Sequence, residues 1–173
     1  MGSLNFKLVL LLVIAIYAVS WFLPIFSGGG PLGYIGAGLA IEALESGVKY
    51  FGSPDTSEAD SISEALFQII VGSCNICFIV AALFAFFKPV WSYVLAPLIV
   101  VSMLFWFSKD VGIGYYLWLL SGVSLFAYTL YMVHKQHRVS LPGVLVSVWS
   151  LPIYVPIVVT GAVYLSLYLK QSA

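Results

Sequence analysis

Apolar residues fall into five long blocks along the chain, separated by short clusters of glycine, proline and charge. The blocks cover residues 6–26, 63–87, 90–107, 112–133 and 151–169. A hydrocarbon layer about 30 Å thick is crossed by about 20 mostly apolar residues in a helix, and each block is close to that length. The pattern predicts an all-α fold: a polytopic transmembrane helix bundle with five crossings, forming a single membrane domain. The alternative is four crossings followed by a C-terminal surface segment or hairpin, because residues 139–169 contain Pro142, Pro152 and Pro156. Residues 139–150 are read as a short interfacial or broken piece. Pro97 lies inside the third block, where it removes a backbone hydrogen bond and kinks a helix.

The longest polar interval, residues 27–62, is expected to be an extracytoplasmic loop. Ser27-Gly28-Gly29-Gly30-Pro31 ends the first helix. Gly33, Gly36 and Gly38 extend the small-residue stretch. Residues 28–38 read as a flexible loop, or as a re-entrant segment if protein or water satisfies its backbone. A short amphipathic helix is expected near residues 40–51, carrying Glu42 and Glu45. Asp55, Glu58, Asp60 and Glu64 follow as an acidic loop. Asp60-Ser61-Ile62-Ser63-Glu64 supplies several helix N-cap candidates, with acids suited to the start of the helix dipole.

Composition agrees with the block pattern. Of 173 residues, 62% are hydrophobic and 8% charged, too few charges to cover a water-facing surface. The net charge is zero and no basic run is present, which speaks against a nucleic-acid partner; the partner implied by composition is the lipid bilayer. Lys7, the apolar run after it and Ala18-Val19-Ser20 mimic a cleavable leader, but the apolar run continues through Trp21-Phe22-Leu23, so a retained first helix is expected. Met1-Gly2-Ser3-Leu4-Asn5-Phe6 does not fit a myristoylation site, which wants Ser or Thr at Phe6. Five crossings place Lys7, Lys88, Lys135 and Arg138 on one side and Lys49, Lys109 and Lys170 on the other. The one tight basic cluster, residues 134–138, sits on the first side. The positive-inside rule then puts the N-terminus in the cytoplasm.

Candidate chemistry concentrates in the second block. Cys74 and Cys77 form a Cys-x-x-Cys whose side chains lie near one another on a helix. A close dithiol can exchange with a quinone or a partner thiol. The pair is similar to that of small membrane thiol oxidases, but their relay needs a second pair in an outer loop, and this chain has two cysteines in all. Packing as small hydrophobes is the competing reading. Asn75 falls near the middle of the block, and a mid-membrane amide needs a partner. With Gln68 and Gly72 it makes one stripe of polar and small residues, expected to face the bundle interior. Apart from Lys7 and Glu64 at the very starts of their blocks, no charged residue lies within a predicted span, which speaks against a proton-driven carrier. No cofactor motif, phosphate loop or metal set is present: two cysteines are too few, and His134 and His137 lie at the far end of another block.

Trp21-Phe22-Leu23-Pro24, Asn75 and Gly114-Tyr115-Tyr116-Leu117-Trp118-Leu119 together resemble small uncharacterised bacterial membrane proteins of about four helices. The resemblance covers residues 6–133 and implies a bacterial inner-membrane location, with no activity to carry over. Residues 139–173 depart from it. Three function classes follow. The first is a non-catalytic membrane protein that binds a protein partner, as an immunity protein, sensor or accessory subunit does, with Glu42, Glu45 and Glu58 as its candidate surface. The second is an oligomeric channel or lipid-handling protein using the polar stripe. The third is a thiol redox enzyme using Cys74 and Cys77.

Overall fold

A computed structural model describes residues 3–26, 32–53, 59–106, 111–137 and 140–172. Within them the chain is helical, with eight α-helices and two isolated β-bridges, Pro24 with Leu32 and Phe26 with Val111. Helix α1 is Ser3–Ser20, α2 Gly33–Gly52, α3 Ile62–Gly72, α4 Cys74–Phe87, α5 Pro89–Leu104, α6 Ile113–His137, α7 Leu141–Leu145 and α8 Leu151–Ser172. One 3-10 turn, Val148–Ser150, leads into α8.

Among the described residues, two helices are long and apolar enough to cross a membrane, α6 and residues Leu151–Lys170 of α8. The pair α3–α4, bent by 45°, makes a third when taken as one broken span. Helix α1, over Lys7–Ser20, and α5 are apolar but shorter, so length alone yields two or three candidate spans where the sequence pattern suggests five. The shortfall has local causes. After α1 the backbone tightens into bonds from Trp21 N–H to Ala18 O and from Phe22 N–H to Val19 O, and Pro24 prevents the helix from resuming. Helix α5 turns off at Phe105 and Trp106; it runs through Pro97 without ending there.

Helices α1, α4, α5 and α6 form the central bundle. Leu10, Val13 and Tyr17 of α1 pack with Phe78, Ala82 and Ala85 of α4, Ile99 and Met103 of α5 and Leu125 of α6. Lys88 alone joins α4 to α5 and Pro89 opens the next helix, a position where a missing N–H costs nothing. Tyr115 Oη donates to Met103 O at 3.0 Å, and Tyr93 stacks on Phe126, so α5 and α6 run antiparallel. Helix α8 leans on α5 and α3. Its Ile153 packs beside Tyr93, its Tyr164 ring meets Phe105, and Ser166 Oγ lies 2.8 Å from Ser63 Oγ. Its other faces carry apolar side chains outward, among them Val158, Leu165 and Tyr168, as a lipid-facing helix does.

The interval after α1 differs most from the sequence reading. Residues 33–38, expected to be loop or re-entrant backbone, are the first turns of a 20-residue helix, α2, longer than the amphipathic segment expected near 40–51. It packs along α3 through two glycines. A Cβ on Gly47 would stand 2.6 Å from Ala65 O, and one on Gly72 would strike Ala40 O and, at 2.5 Å, Leu44 N. Side chains here would separate the helices. At the far end of α3, Ser61 accepts from Glu64 N–H at 3.3 Å, and Glu64 Oε2 accepts from Asp60 N–H at 3.0 Å. This reciprocal pattern caps the helix start.

Candidate functional site: a polar node at the root of α2

The block expected as one continuous helix, residues 63–87, is broken at Ser73. Gly72-Ser73 is the kind of pair at which helices bend sharply, and two contacts stabilise the break. Ser73 Oγ donates to Ile70 O at 2.9 Å. Trp106 Nε1–H reaches Val71 O at 3.2 Å, so an indole satisfies a carbonyl near the bend. Asn75 therefore lies in the first turn of α4, rather than at the middle of a straight helix.

Asn75 is 6% exposed, and its amide receives two donors. Tyr17 Oη–H from α1 lies 2.9 Å from Oδ1, and Trp118 Nε1–H from α6 lies 3.0 Å from the same atom. An indole N–H can only donate, so the atom it meets is the oxygen and the amide orientation is settled. Tyr17 must then donate as well. The tyrosine ring is clamped between Phe78, stacked at a centroid distance of 3.9 Å, and Trp21, edge-on at 5.6 Å. One amide thus ties three helices of the bundle together.

Above the node, backbone replaces side chains. Gly33 N–H donates to Leu23 O at 3.0 Å and Tyr34 N–H to Trp21 O at 2.9 Å. Gly112 N–H donates to Ile25 O at 2.6 Å and Gly114 N–H to Pro24 O at 3.0 Å. A Cβ on Gly33 would overlap Ser20 O, and one on Gly114 would stand 2.6 Å from Leu23 O. The segment after α1 is held between the starts of α2 and α6 because glycines stand at both: Gly33 opens α2, and Gly112 and Gly114 flank Ile113, the first residue of α6. Under this roof lies a cavity of about 50 Å³, lined by Ser20, Trp21, Asn75, Trp106 and Trp118 together with apolar side chains. The tryptophans therefore share one level of the bundle, which suits rings with an apolar body and a polar tip.

The residues singled out from sequence are distributed as follows. Gly72 faces the α2 backbone and Asn75 faces α1 and α6. Gln68 sits on α3 with its Oε1 buried and without a hydrogen bond among the described residues. Cys74 is fully buried within the central core; Cys77 is half-buried against it, and both are free thiols. Glu42 and Glu45 are exposed on α2, where Glu45 pairs with Lys49 at 2.9 Å. Glu58 lies outside the described residues. No group of three or more metal-ligating side chains occurs among the described residues.

Two members of the node were not anticipated. Tyr17 is embedded in an apolar block and Trp118 in a run of aromatics that reads as an interface belt. The available signal was chemical: a buried amide oxygen in a membrane needs donors, and tyrosine and tryptophan are the donors that an apolar helix tolerates.

No protein-family model matches this chain, and neither a curated protein nor a solved structure matches it.

Proposed function

We propose that the chain is an integral protein of the bacterial inner membrane that crosses five times, keeps its N-terminus in the cytoplasm, and works by binding a protein partner rather than by catalysis. The observation that carries this reading is the outer face of α2. Ile41, Glu42, Glu45, Val48 and Lys49 are exposed there, and Ile41, Glu45, Val48 and Lys49 border an open depression of about 700 Å³. This face mixes apolar side chains with an acidic edge, the combination that lets a partner bury area while charge selects it. It is also held stiffly, by glycine packing along α3 and backbone bonds to the end of α1, so little ordering cost attends binding. Orientation is supported by the antiparallel bundle, which brings Lys88 and His134–His137 to the end opposite α2, in line with the positive-inside rule.

The test is capture from native membranes with the tagged full chain, quantified against Glu42→Lys/Glu45→Lys and Ile41→Ser variants. A co-purifying protein reduced at least about tenfold by charge reversal, yet retained by Cys74→Ala/Cys77→Ala, is the expected outcome. Capture that ignores the α2 substitutions but disappears with the cysteines would replace this reading with thiol exchange.

A further inference from the structure

We propose that the cavity at the root of α2 binds an uncharged carbonyl group, which accepts hydrogen bonds from the side-chain amide nitrogen of Asn75. The argument begins with the donors. Six polar side chains line the cavity, and four already donate to protein oxygens: Ser20 to Tyr17 O at 2.6 Å, Trp106 to Val71 O, Tyr115 to Met103 O and Trp118 to Asn75 Oδ1. The fifth, Trp21, stands edge-on against the Tyr17 ring at 5.6 Å, and Asn75 is the sixth. Its oxygen is occupied by Tyr17 and Trp118, and among the described residues Nδ2 donates to none. The two N–H groups of a side chain that is 6% exposed are therefore left to the cavity with no acceptor among the described residues, and a donor in so apolar a site favours an occupant that accepts from it.

The occupant's chemistry follows. It must accept hydrogen bonds. It must be uncharged, because no charged side chain lines the cavity and a dry ion without a counter-charge is costly. It must also tolerate an apolar wall, supplied by Ile25, Phe26, Ala37 and Val111. About 50 Å³ exceeds the roughly 30 Å³ that one water occupies in the liquid, and suits a carbonyl with its nearest substituents rather than a whole molecule. In a bilayer, such a group comes from two sources: the acyl ester of a glycerolipid, and the ring carbonyl of a lipid-soluble quinone.

The experiment uses the purified full chain in nanodiscs, with the thermal unfolding midpoint read by circular dichroism. One arm compares discs of diester phosphatidylcholine with discs of its diether analogue, which lacks the carbonyls. The second arm titrates a short-chain quinone into the diether discs. A midpoint about 3 °C or more higher in diester discs assigns the site to lipid, and a saturable rise of similar size with quinone assigns it to quinone. Either rise must vanish in Ala37→Leu, which fills the cavity and leaves the Asn75 hydrogen bonds in place, and shrink in Asn75→Asp, which keeps the acceptor but removes the amide nitrogen. No response in either arm means that the cavity holds only water and overturns the proposal. A response that persists in both variants also overturns it, since it then arises elsewhere on the protein. Partner capture through α2 does not depend on Ala37→Leu, so failure here and failure of the partner reading are told apart.

Discussion

Asn75 serves two neighbours at once, and the balance of its hydrogen bonds predicts unequal effects of neighbouring substitutions. Tyr17→Phe removes one donor and leaves Oδ1 bonded to Trp118; the expected loss is about 0.5–1.5 kcal/mol. Asn75→Leu removes the acceptor and strands a phenol and an indole N–H in the bundle, each costing about 1–3 kcal/mol when buried without a partner. Thermal unfolding in micelles should rank Asn75→Leu well below Tyr17→Phe. The double variant should lose less than the sum of the singles, because one stranded donor is then gone. Additive losses would mean that the Tyr17–Asn75 contact contributes nothing to stability. The amide was legible in sequence as a residue needing partners. Its partners were not, because the pairs 17–75 and 75–118 depend on how three helices come to lie side by side.

At the scale of elements, glycine decides where helices touch. In the sequence Gly72 belongs to a stripe of polar and small residues; in the structure it is also the place where the α2 backbone lies against α3. Gly72→Ala must push Ala40 and Leu44 away, and overpacking of this kind costs about 1–3 kcal/mol. Gly38→Ala is the matched control: it lies on α2 with nothing within 4 Å of its added methyl, and helix propensity favours it by up to about 1 kcal/mol. Proteolysis of the α2–α3 region should accelerate in Gly72→Ala and not in Gly38→Ala. Equal cleavage of the two would show that close glycine packing does not hold α2 in place. Helix existence was visible from apolar runs and caps such as Ser61 with Glu64. The start of α2 was not, because Gly33, Gly36 and Gly38 read locally as helix breakers. The helix start is held by bonds from Gly33 N–H to Leu23 O and from Tyr34 N–H to Trp21 O, and by a fit of Gly33 against Ser20 that only a residue without a Cβ allows. The break at Ser73 is only half legible: Gly72-Ser73 permits a bend without requiring one, and Trp106, which satisfies Val71 O there, acts from beyond the end of α5.

For the whole molecule, the all-helical class and the membrane setting follow from composition and the spacing of apolar blocks, whereas the number of crossings turns on α8. This helix has 22 residues, about 33 Å at 1.5 Å per residue, enough for a hydrocarbon layer of about 30 Å. It starts beside Tyr93 and Val133, at the end of the bundle where α6 finishes, and reaches Phe105 with Tyr164 and Ser63 with Ser166 at the opposite end. A helix laid along the surface would keep both ends at one level and could not make these contacts with α5 and α3 together. The proposed topology of five crossings therefore makes a definite prediction for single cysteines placed in a Cys74→Ala/Cys77→Ala background. In sealed spheroplasts, a membrane-impermeant maleimide should label Ser53→Cys and Lys170→Cys at once, and Lys88→Cys and His137→Cys only after lysis. If Lys170→Cys instead behaves like Lys88→Cys, α8 returns to the side from which it started. Four crossings with a C-terminal hairpin would then be the correct topology.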